Sequence, residues 1–420
     1  MGRSVLVVGG GGREHALCRS LFESKSIDDV HVTPGNAGTM NYATNHSISS
    51  SDIAGLVDLS RNLHVDFVVV GPEAPLCDSL ADILLEHDIP CFGPQALHAE
   101  LEGSKLFAKE AMRRANVPTA DYQVLDSSSD LESALDSYSH NPWVIKRDVL
   151  AGGKGVVVTT DYQEAIEFIN DSIESDGHVL LESFLPGEEA SMLVVMDASG
   201  FICLPPSQDH KRVWDGDEGL NTGGMGAYCP APVVTEKIHQ KVLEQIVKPM
   251  HESLSVMDVP YRGVLYVGLM IDEHGDPYVV EFNVRFGDPE CQVTLPLIAS
   301  DVGELLFAAA TDSLQEYAIS FHDKHCLTVV LASEGYPQSA IKGRVIQGAE
   351  INEDTDEAWV SHAGTKRDDS HQLISTGGRV LATTAIASSL RDARARSYQR
   401  MQAISLQGSH HRSDIGHRAL

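Results

Sequence analysis

Positive charge is scarce in this sequence of 420 residues, in which 31 lysines and arginines stand against 60 aspartates and glutamates. The net charge of -29 argues against a general nucleic-acid binder, which needs a basic face to displace the counterions of phosphates. It also argues against a polybasic membrane surface. Small anionic ligands are still compatible with the composition, because a local basic cluster can oppose the field of the whole chain.

Cysteines and long apolar runs are scarce as well. The seven cysteines form no Cys-x-x-Cys pair, which favours a reduced, cytoplasmic protein with free thiols over a disulfide scaffold. No apolar run approaches the roughly 18 residues of a membrane-spanning helix. The apolar run at Val5–Val8 is too short for the core of a signal peptide. We therefore expect a cytoplasmic protein with neither nucleic-acid nor membrane partners.

The first hundred residues repeat a strand, a turn rich in glycine or proline, and a helix. This repetition predicts a parallel α/β domain over residues 1–102, in which ligands bind beyond the carboxyl ends of the strands. From residue 103 the pattern changes, and antiparallel strands are predicted near Tyr261–Asp272 and Tyr278–Asn283. A last α+β segment is predicted over 325–420, which leaves 103–324 as a middle domain. The predicted strands of the first domain lie near Val5–Val8, Val30–Thr33, Phe67–Val70 and Ile89–Phe92. Its predicted helices lie near Glu14–Glu23, Ile53–Leu63 and Leu76–Glu86.

The glycine run Gly9–Gly12 follows the first strand and opens a helix. A dinucleotide site is disfavoured, because Glu14 stands where the fingerprint needs a small residue. The second strand also ends in Thr33-Pro34, without a carboxylate to hold a ribose. Backbone amides at a helix N-terminus instead suit a single phosphate group. A plain tight turn is the alternative, and the sequence leaves both open.

A second glycine cluster, Ala151–Gly155, lies between two predicted strands. It is not a Walker A loop, because Gly155 follows Lys154 where Ser or Thr is required. A glycine flap with Lys146 and Lys154 would close over a triphosphate. A bare hairpin turn is the alternative.

Glu281 and Asn283 stand at the end of an apolar strand, where the alternation of side chains places both on one face. A carboxylate and an amide oxygen suit Mg²⁺, which takes few protein ligands together with substrate phosphates. A solvated strand end is the alternative, and the neighbouring Arg285–Glu290 motif favours the metal. The polar run Ser207–Arg212 is suited to presenting donors to a polar substrate, with a surface loop as the alternative.

Taken together, these stretches resemble the phosphoribosylamine–glycine ligase (glycinamide ribonucleotide synthetase) family of the ATP-grasp superfamily. The Arg-Phe-Gly-Asp-Pro-Glu hexapeptide at Arg285–Glu290 is the most specific match, and the order of the matches along the chain carries the resemblance. The other matching stretches are Gly11–Ala16, Pro34–Thr39, Gly71–Leu76, Leu101–Lys105, Gly187–Ser191, Ser207–Arg212, Asn221–Tyr228 and Gly377–Leu381.

The resemblance implies an α/β N-terminal domain, a two-lobed ATP-grasp unit with a flap lobe at about 120–190, and a C-terminal α+β domain. ATP would lie between the lobes. The implied ATP-binding residues are Lys105, Lys146, Gly153, Lys154, Glu182, Phe184, Leu185 and Glu189. The implied metal ligands are Glu281 and Asn283. The implied substrate-binding residues are Gly11, Gly12, Arg13, Asn36, Gly38, Pro72, Glu73, Asp209, Lys211, Arg212, Arg285 and Asp288.

The resemblance also implies a reaction of purine biosynthesis, in which a carbon–nitrogen ligase joins glycine to 5-phosphoribosylamine. The carboxylate of glycine would attack the γ-phosphate of ATP, and the amine would then displace phosphate from glycyl phosphate. Positioning and charge neutralisation carry such phosphoryl transfers. Arg285 and Lys146 are the implied catalytic residues, with Mg²⁺ or Mn²⁺ as the metal. We expect a monomer or a weak homodimer.

Two positions depart from the family pattern. Val149 replaces a flap glycine, so positive φ there would cost energy and flap closure is in question. Leu269 stands where many ATP-grasp enzymes have a metal carboxylate, which leaves the metal count open. Another ATP-grasp ligase or carboxylase with a different acid substrate is the main alternative. A non-catalytic nucleotide-binding protein would be expected to have lost the lysines and metal ligands that are present here.

Overall fold

The computed structural model of the chain describes residues 2–150 and 155–420. Its first part is a five-stranded, wholly parallel sheet in the order β3-β2-β1-β4-β5, which confirms the predicted parallel α/β architecture. The strands are β1 (Arg3–Gly9), β2 (Ile27–Pro34), β3 (Thr44–Asn45), β4 (Phe67–Val70) and β5 (Cys91–Phe92). The helices are α1 (Gly12–Phe22), α2 (Ile53–Leu63), α3 (Ala74–Cys77), α4 (Leu80–Glu86) and α5 (Ala96–Gly103).

The helix predicted at Leu76–Glu86 is two helices, α3 and α4. Ser79 separates them with a left-handed backbone, φ 67°. A non-glycine residue in that region does not continue a right-handed helix. The break gives the segment after β4 its own short helix, with Glu73 at its N-cap.

The flap lobe is a four-stranded antiparallel sheet in the order β6-β9-β7-β8, covered by two helices. It has a small apolar core of its own, separate from the cores of the rest of the chain. Its elements, with the helix that precedes them, are α6 (Lys105–Arg114), β6 (Tyr122–Asp126), α7 (Leu131–Ser137), β7 (Trp143–Arg147), β8 (Val156–Thr159), α8 (Tyr162–Asp176) and β9 (His178–Glu182).

The second lobe is a four-stranded sheet in the order β11-β10-β16-β17, whose neighbouring strands are all antiparallel. Two large apolar cores join this sheet to the N-terminal sheet, so these two parts pack as one body. The elements of this stretch are β10 (Glu188–Met196), β11 (Phe201–Cys203), β12 (Gln208–Asp209), β13 (Arg212–Trp214), β14 (Glu218–Asn221), β15 (Gly226–Cys229), α9 (Glu236–Val242), α10 (Lys248–Ser255), β16 (Gly263–Ile271), β17 (Pro277–Asn283), α11 (Cys291–Thr294) and α12 (Val302–Ala310).

The C-terminal sheet has the order β12-β15-β18-β23-β20 and therefore includes two strands from the middle of the chain. The stretch from β12 to β15 belongs to the middle domain if the chain is divided at residue 324. It places Asp209 and Lys211 where the middle domain meets the C-terminal sheet. In the described ranges, no helix has the length and apolarity needed to cross a membrane. The remaining elements are β18 (His325–Ala332), β19 (Ile346–Gln347), β20 (Ala358–His362), β21 (Thr365–Arg367), β22 (Leu373–Ser375), β23 (Arg379–Ala387), α13 (Leu390–Gln402) and β24 (Ser405–Leu406).

Candidate functional site

The glycine turn after β1 is already capped by carboxylates. The Gly11 N–H donates to Glu14 Oε2 at 2.5 Å, and the Arg13 N–H donates to Asp288 Oδ2 at 3.3 Å. Two of the amides that open α1 are therefore not free for an anion, and the phosphate site predicted at Gly11, Gly12 and Arg13 stays a prediction. An approaching phosphate would have to compete with both carboxylates.

Arg13, Glu14, Asp288 and Arg379 form a balanced set of charges, which we call the junction cluster. Arg13 Nε lies 2.5 Å from Glu14 Oε1, and Arg379 Nη1 lies 3.4 Å from Asp288 Oδ1. Arg379 Nη1 also donates to the Gly223 carbonyl at 2.5 Å and to the Asp288 carbonyl at 2.6 Å. Burial tends to raise the pKa of Asp288, but Arg379 and Arg13 hold it below its ordinary value. Arg379 lies in the matching stretch Gly377–Leu381 but was missed as a site residue, since the motif does not show its partner 91 residues away.

Asn36 has no free polar atom to offer a substrate. Its Nδ2 donates to the Gly10 carbonyl at 3.0 Å and to the His362 carbonyl at 2.9 Å, while its Oδ1 accepts the Gly38 N–H at 2.9 Å. A Cβ at Gly38 would lie 2.5 Å from the ring of His362, so the close approach of the two segments requires glycine there. In this structure Asn36 and Gly38 shape the turn and fasten it to the C-terminal part, and their predicted contact with substrate stays a prediction.

The guanidinium of Arg285 makes several contacts with protein partners, and its predicted contact with the glycine carboxylate stays a prediction. Nη2 donates to Glu102 Oε1 at 2.7 Å and to Asn283 Oδ1 at 3.2 Å, and Nε lies 3.3 Å from Glu73 Oε2. Burial opposes the positive charge, but Glu102 and Glu73 raise the pKa of Arg285 above its ordinary value. Nη1 donates only to the Phe286 carbonyl, at 3.3 Å, so one of its two hydrogens has no partner in the described ranges. Any further contact of an anion with Arg285 requires the replacement of one of its partners. Glu102 is a second residue that the sequence reasoning missed.

Glu281 lies half-buried at the end of β17, on the face shared with Asn283. Its carboxylate makes no hydrogen bond or ion pair with the residues described. Burial would raise its pKa, but Lys211, Lys105 and Lys146 together hold the pKa below its ordinary value. A carboxylate facing three cations without touching them has the charge pattern of a site for a metal ion and phosphates.

The fit of a divalent cation can be tested against these two side chains. The Asn283 oxygen accepts one hydrogen bond from Arg285, and an amide oxygen has two lone pairs, so one acceptor position is left. Glu281 adds a free carboxylate, and both ligands are oxygens, as hard cations prefer. Among the residues described, no group of three His, Cys, Asp or Glu side chains is suited to a metal. The site therefore fits a cation that takes most of its ligands from phosphates and water.

Lys109, Lys146 and Glu182 form a buried ion cluster on the flap side, which we call the flap cluster. Lys109 Nζ and Lys146 Nζ each lie 3.0 Å from Glu182 Oε2. Glu182 Oε1 is buried and has no hydrogen-bond partner in the described part of the chain. Burial lowers the pKa of Lys109 to about 8, although Glu182 acts in the opposite direction. Sequence reasoning identified Lys146 and Glu182 but missed Lys109, which sits in an ordinary amphipathic helix.

Glu189 and Lys211 form an ion pair, with Lys211 Nζ 3.0 Å from Glu189 Oε2. The predicted ribose carboxylate is therefore held by a lysine in this structure. Burial raises the pKa of Asp209 to about 7; Lys211 opposes this shift, and Glu290 adds to it. The structure thus brings Asp209, Glu189 and Lys211 into one electrostatic neighbourhood.

The remaining predicted site residues within the described ranges belong to none of the clusters described above. Arg212 is exposed, and its Nη1 donates to the Gly219 carbonyl at 2.6 Å within the β13–β14 hairpin, so it contacts none of the clusters above. Phe184 and Leu185 are half-buried after β9, and Pro72 is half-buried after β4. Lys105 opens α6 and is half-buried. The predicted Gly153 and Lys154 lie outside the described residues.

Val149 does not carry the strain that its sequence position suggests. It is not among the non-glycine residues with positive φ in the described ranges. The next residue toward β7, Asp148, accepts from Ser104 Oγ and from the Leu106 N–H, both at 3.0 Å, and so caps the helix that begins at Lys105. The carboxylate of Asp148 thus connects the segment after β7 to the start of α6, and this connection does not need a glycine with positive φ.

Three models of one family match consecutive parts of this chain. They are the N domain, the ATP-grasp (A) domain and the C domain of phosphoribosylglycinamide synthetase, which match residues 3–102, 103–291 and 326–418. Among curated relatives, phosphoribosylamine–glycine ligase from Yersinia pestis is 42% identical over 427 residues, covering 99% of both chains. The enzyme of the same name from Mycobacterium tuberculosis is 44% identical over 420 residues, covering 99% of this chain and 98% of its own.

Solved structures agree with these matches. The crystal structure of phosphoribosylamine–glycine ligase from Thermotoga maritima superposes with a TM-score of 0.83 at 32% identity, covering 98% of this chain and 100% of its own. The biotin carboxylase domain of 2-oxoglutarate carboxylase from Hydrogenobacter thermophilus, in complex with MgADP, superposes with a TM-score of 0.73 at 18% identity. It covers 98% of this chain and 92% of its own, and at that identity it shows a shared fold alone.

Proposed function

Because the chain belongs to the phosphoribosylglycinamide synthetase family, we propose that it ligates glycine to 5-phosphoribosylamine with ATP, in the cleft around Glu281. The products are glycinamide ribonucleotide, ADP and phosphate. The observation that carries the proposal is the Glu281 carboxylate, which faces Lys105, Lys146 and Lys211 without pairing with any of them. That arrangement suits a cation–triphosphate complex, which would bring negative charge to the lysines and positive charge to the carboxylate.

ATP and a divalent metal follow from the ATP-grasp domain, and we propose Mg²⁺, or Mn²⁺ in its place, as the metal. Glu281 and Asn283 would hold it through oxygen atoms. When bound, such a cation neutralises the charge that develops on the transferring phosphoryl group. Lys105 and Lys146 bind the phosphates. We assign the adenine and ribose to the stretch from Glu182 to Glu189, with Phe184 and Leu185, and we keep Gly153 and Lys154 as proposed flap contacts.

The reaction proceeds in two steps. The carboxylate of glycine attacks the γ-phosphate, which forms glycyl phosphate and releases ADP. The amine of 5-phosphoribosylamine then attacks the acyl carbon, and phosphate leaves. Arg285 orients the glycine carboxylate and the acyl phosphate, because its planar fork suits both groups. The residues here chiefly position reactants and balance charge, and none acts as a covalent nucleophile.

The phosphoribosylamine is assigned to the edge of the N-terminal sheet, where the turns after β1, β2 and β4 meet. Arg13, Glu73 and Pro72 line that edge, with Gly11 and Gly12 behind them and with Asn36 and Gly38 shaping the turn. Asp288 lies on the same side, bonded to the Arg13 N–H, and we assign Asp209 and Lys211 to the substrate as well. Arg212 would contact substrate only if the β13–β14 hairpin moved toward the cleft. We also propose the divisions 1–102, 103–324 and 325–420, a monomer or weak homodimer, and a cytoplasmic setting suited to seven free cysteines.

The test is substrate dependence. With Mg²⁺ and ATP present, ADP release in steady state should require both glycine and 5-phosphoribosylamine. The alternative, a ligase or carboxylase acting on a different acid, is tested in the same assay with D-alanine and bicarbonate in place of glycine. Turnover with either of them, and none with glycine, would contradict the proposal.

A further inference from the structure

The two carboxylates that hold Arg285 are not equivalent. Glu102 is buried, with 6% of its side chain exposed, and lies 2.7 Å from Arg285 Nη2. Its second oxygen accepts the Val284 N–H at 2.8 Å, so it also fixes the backbone that follows β17. Glu73 is more exposed, at 29%, and its single contact with Arg285 Nε is longer, at 3.3 Å. In the described ranges Glu73 makes no other ion pair.

The charges around Arg285 show which partner an incoming anion would replace. One guanidinium faces two carboxylates, and Asn283 also takes one of its donors. Displacing Glu102 would leave the buried Val284 N–H without its acceptor, and an unsatisfied buried donor costs free energy. Displacing Glu73 leaves only the Arg285 Nε–H without an acceptor, and the incoming anion then accepts that hydrogen bond. Exchange at Glu73 is therefore the less costly of the two.

We propose that Glu73 is an exchangeable internal partner of Arg285, which holds the guanidinium in the free enzyme and is replaced by the anionic group of the acid substrate. Glu102 is the fixed positioning residue that keeps Arg285 aimed into the cleft throughout. This inference rests on the proposed role of Arg285 toward the glycine carboxylate.

The test compares two chemically identical substitutions on one arginine. Glu73→Gln replaces a charged competitor by a neutral amide, so the KM for glycine should fall, by about fivefold if a charge-assisted bond is weakened to a neutral one. Glu102→Gln weakens the anchor of Arg285, so the KM for glycine should rise by about tenfold and kcat should fall. The KM for ATP should stay within about twofold in both variants, since neither residue contacts the lysines.

Two controls make the comparison sharper. Glu73→Asp keeps the charge but shortens the reach, so its KM for glycine should also fall. Glu100→Gln changes an exposed carboxylate on the same helix as Glu102 and should leave both KM values unchanged. A simple loss of local structure would raise the KM for glycine in every variant near Arg285, whereas exchange predicts opposite signs for Glu73→Gln and Glu102→Gln.

An unchanged or raised KM for glycine in Glu73→Gln overturns the inference, whether or not Glu102→Gln folds. That result differs from a failure of the proposed function, which would appear in the unmodified enzyme as ADP release that does not depend on glycine. The latter result would remove the inference as well. A lower KM for glycine in Glu73→Gln, beside a normal KM for ATP, supports it.

Discussion

The flap cluster and the junction cluster are both buried groups of ions, but their charges are balanced differently. In the flap cluster two lysines share one oxygen of Glu182, and the other oxygen of that carboxylate is left without a partner among the described residues. In the junction cluster two arginines match two carboxylates, and further backbone groups satisfy Asp288 and Arg379. A buried surplus of positive charge is costly unless a counter-ion arrives, whereas a balanced cluster is complete by itself.

This difference suggests that the flap cluster binds ATP and that the junction cluster holds parts of the fold together. Lys146 and Glu182 lie on the flap lobe, which has its own small core, and Lys109 reaches them from α6. Lys146 also lies near Glu281, as does Lys105. The junction cluster connects the N-terminal turn, the Asp288 segment and the C-terminal sheet. We therefore expect substitutions on the flap side to alter ATP use, and substitutions at the junction to alter stability and ligation while the affinity for ATP is kept.

The largest expected effect belongs to Glu281→Gln. Removal of the one unpaired carboxylate among the lysines should lower kcat by about a thousandfold, because a catalytic metal contributes several kcal/mol to phosphoryl transfer. The melting temperature should fall only slightly, because Glu281 makes no hydrogen bond or ion pair in the described ranges and loses only its longer-range attraction to the lysines. Steady-state ADP release and thermal unfolding measure the two effects, and Glu273→Gln on an exposed turn serves as the control. Retained activity would remove Glu281 from the metal site.

Asp288→Asn should have a large effect on stability and a small effect on ATP binding. Breaking a buried, hydrogen-bonded charge pair costs about 3 kcal/mol, so the free energy of unfolding should fall by roughly that amount. The affinity for ATP should stay near that of the unmodified enzyme, because Asp288 lies among Arg13, Gln292 and Arg379 rather than among the lysines. Denaturant unfolding and equilibrium ATP binding measure these effects. An unfolding midpoint like that of the unmodified enzyme would contradict the structural role of the junction cluster.

A smaller effect should follow the titration of Lys109, whose pKa lies at about 8. Raising the pH from 7 to 9 removes its proton and with it the positive surplus of the flap cluster, so the KM for ATP should rise by about fivefold. The stability of the fold should increase over the same rise in pH, although the binding of ATP weakens. Between about pH 8 and the ordinary lysine value of 10.5 the unfolded chain binds more protons than the folded one, so the free energy of unfolding increases with pH.

The pH experiment has a matched control in Lys109→Met, in which both trends should disappear. ATP titrations and denaturant unfolding at pH 7, 8 and 9 give the two readouts on the same samples. If the KM for ATP rises as steeply in Lys109→Met as in the unmodified enzyme, another group is responsible for the dependence.

The smallest effect is expected for Val149→Gly. Val149 does not require positive φ in this structure, so restoring the family's glycine should change kcat and both KM values by less than about twofold. A gain of tenfold or more would mean that the closed flap requires a backbone conformation that valine resists.

The sequence predicted the elements whose patterns are local. Phe67–Val70 and the helix at Ile53–Leu63 have the predicted bounds, because an apolar run and an amphipathic period define them without distant partners. The break at Ser79 was not predicted, since its left-handed backbone has no glycine to mark it. Strands β12 and β15 were not assigned to the C-terminal sheet, because two to four residues carry too little pattern to show their partners.

The site was predictable where a residue type carries a chemistry and its motif is contiguous, as with Glu281, Asn283 and Lys146. The missed residues act through contacts that local patterns cannot show. Glu102 meets Arg285 from 183 positions away, and Lys109 is recognisable only by its burial beside Glu182. The motif of Asn36 likewise does not show that its polar atoms bond internally, one of them to His362 from 326 positions away, and its predicted contact with substrate stays a prediction.

The contrast between the two clusters is tested most directly by the affinity for ATP of two variants, measured by equilibrium titration with Mg²⁺ present. Lys146→Met, in the flap cluster, should bind ATP about 30-fold more weakly, because it loses a charge-assisted contact with phosphate. Arg379→Met, in the junction cluster, should bind ATP within about twofold of the unmodified enzyme while its ligation rate falls. Equal losses of ATP affinity in the two variants would contradict the assignment of binding to one cluster and architecture to the other.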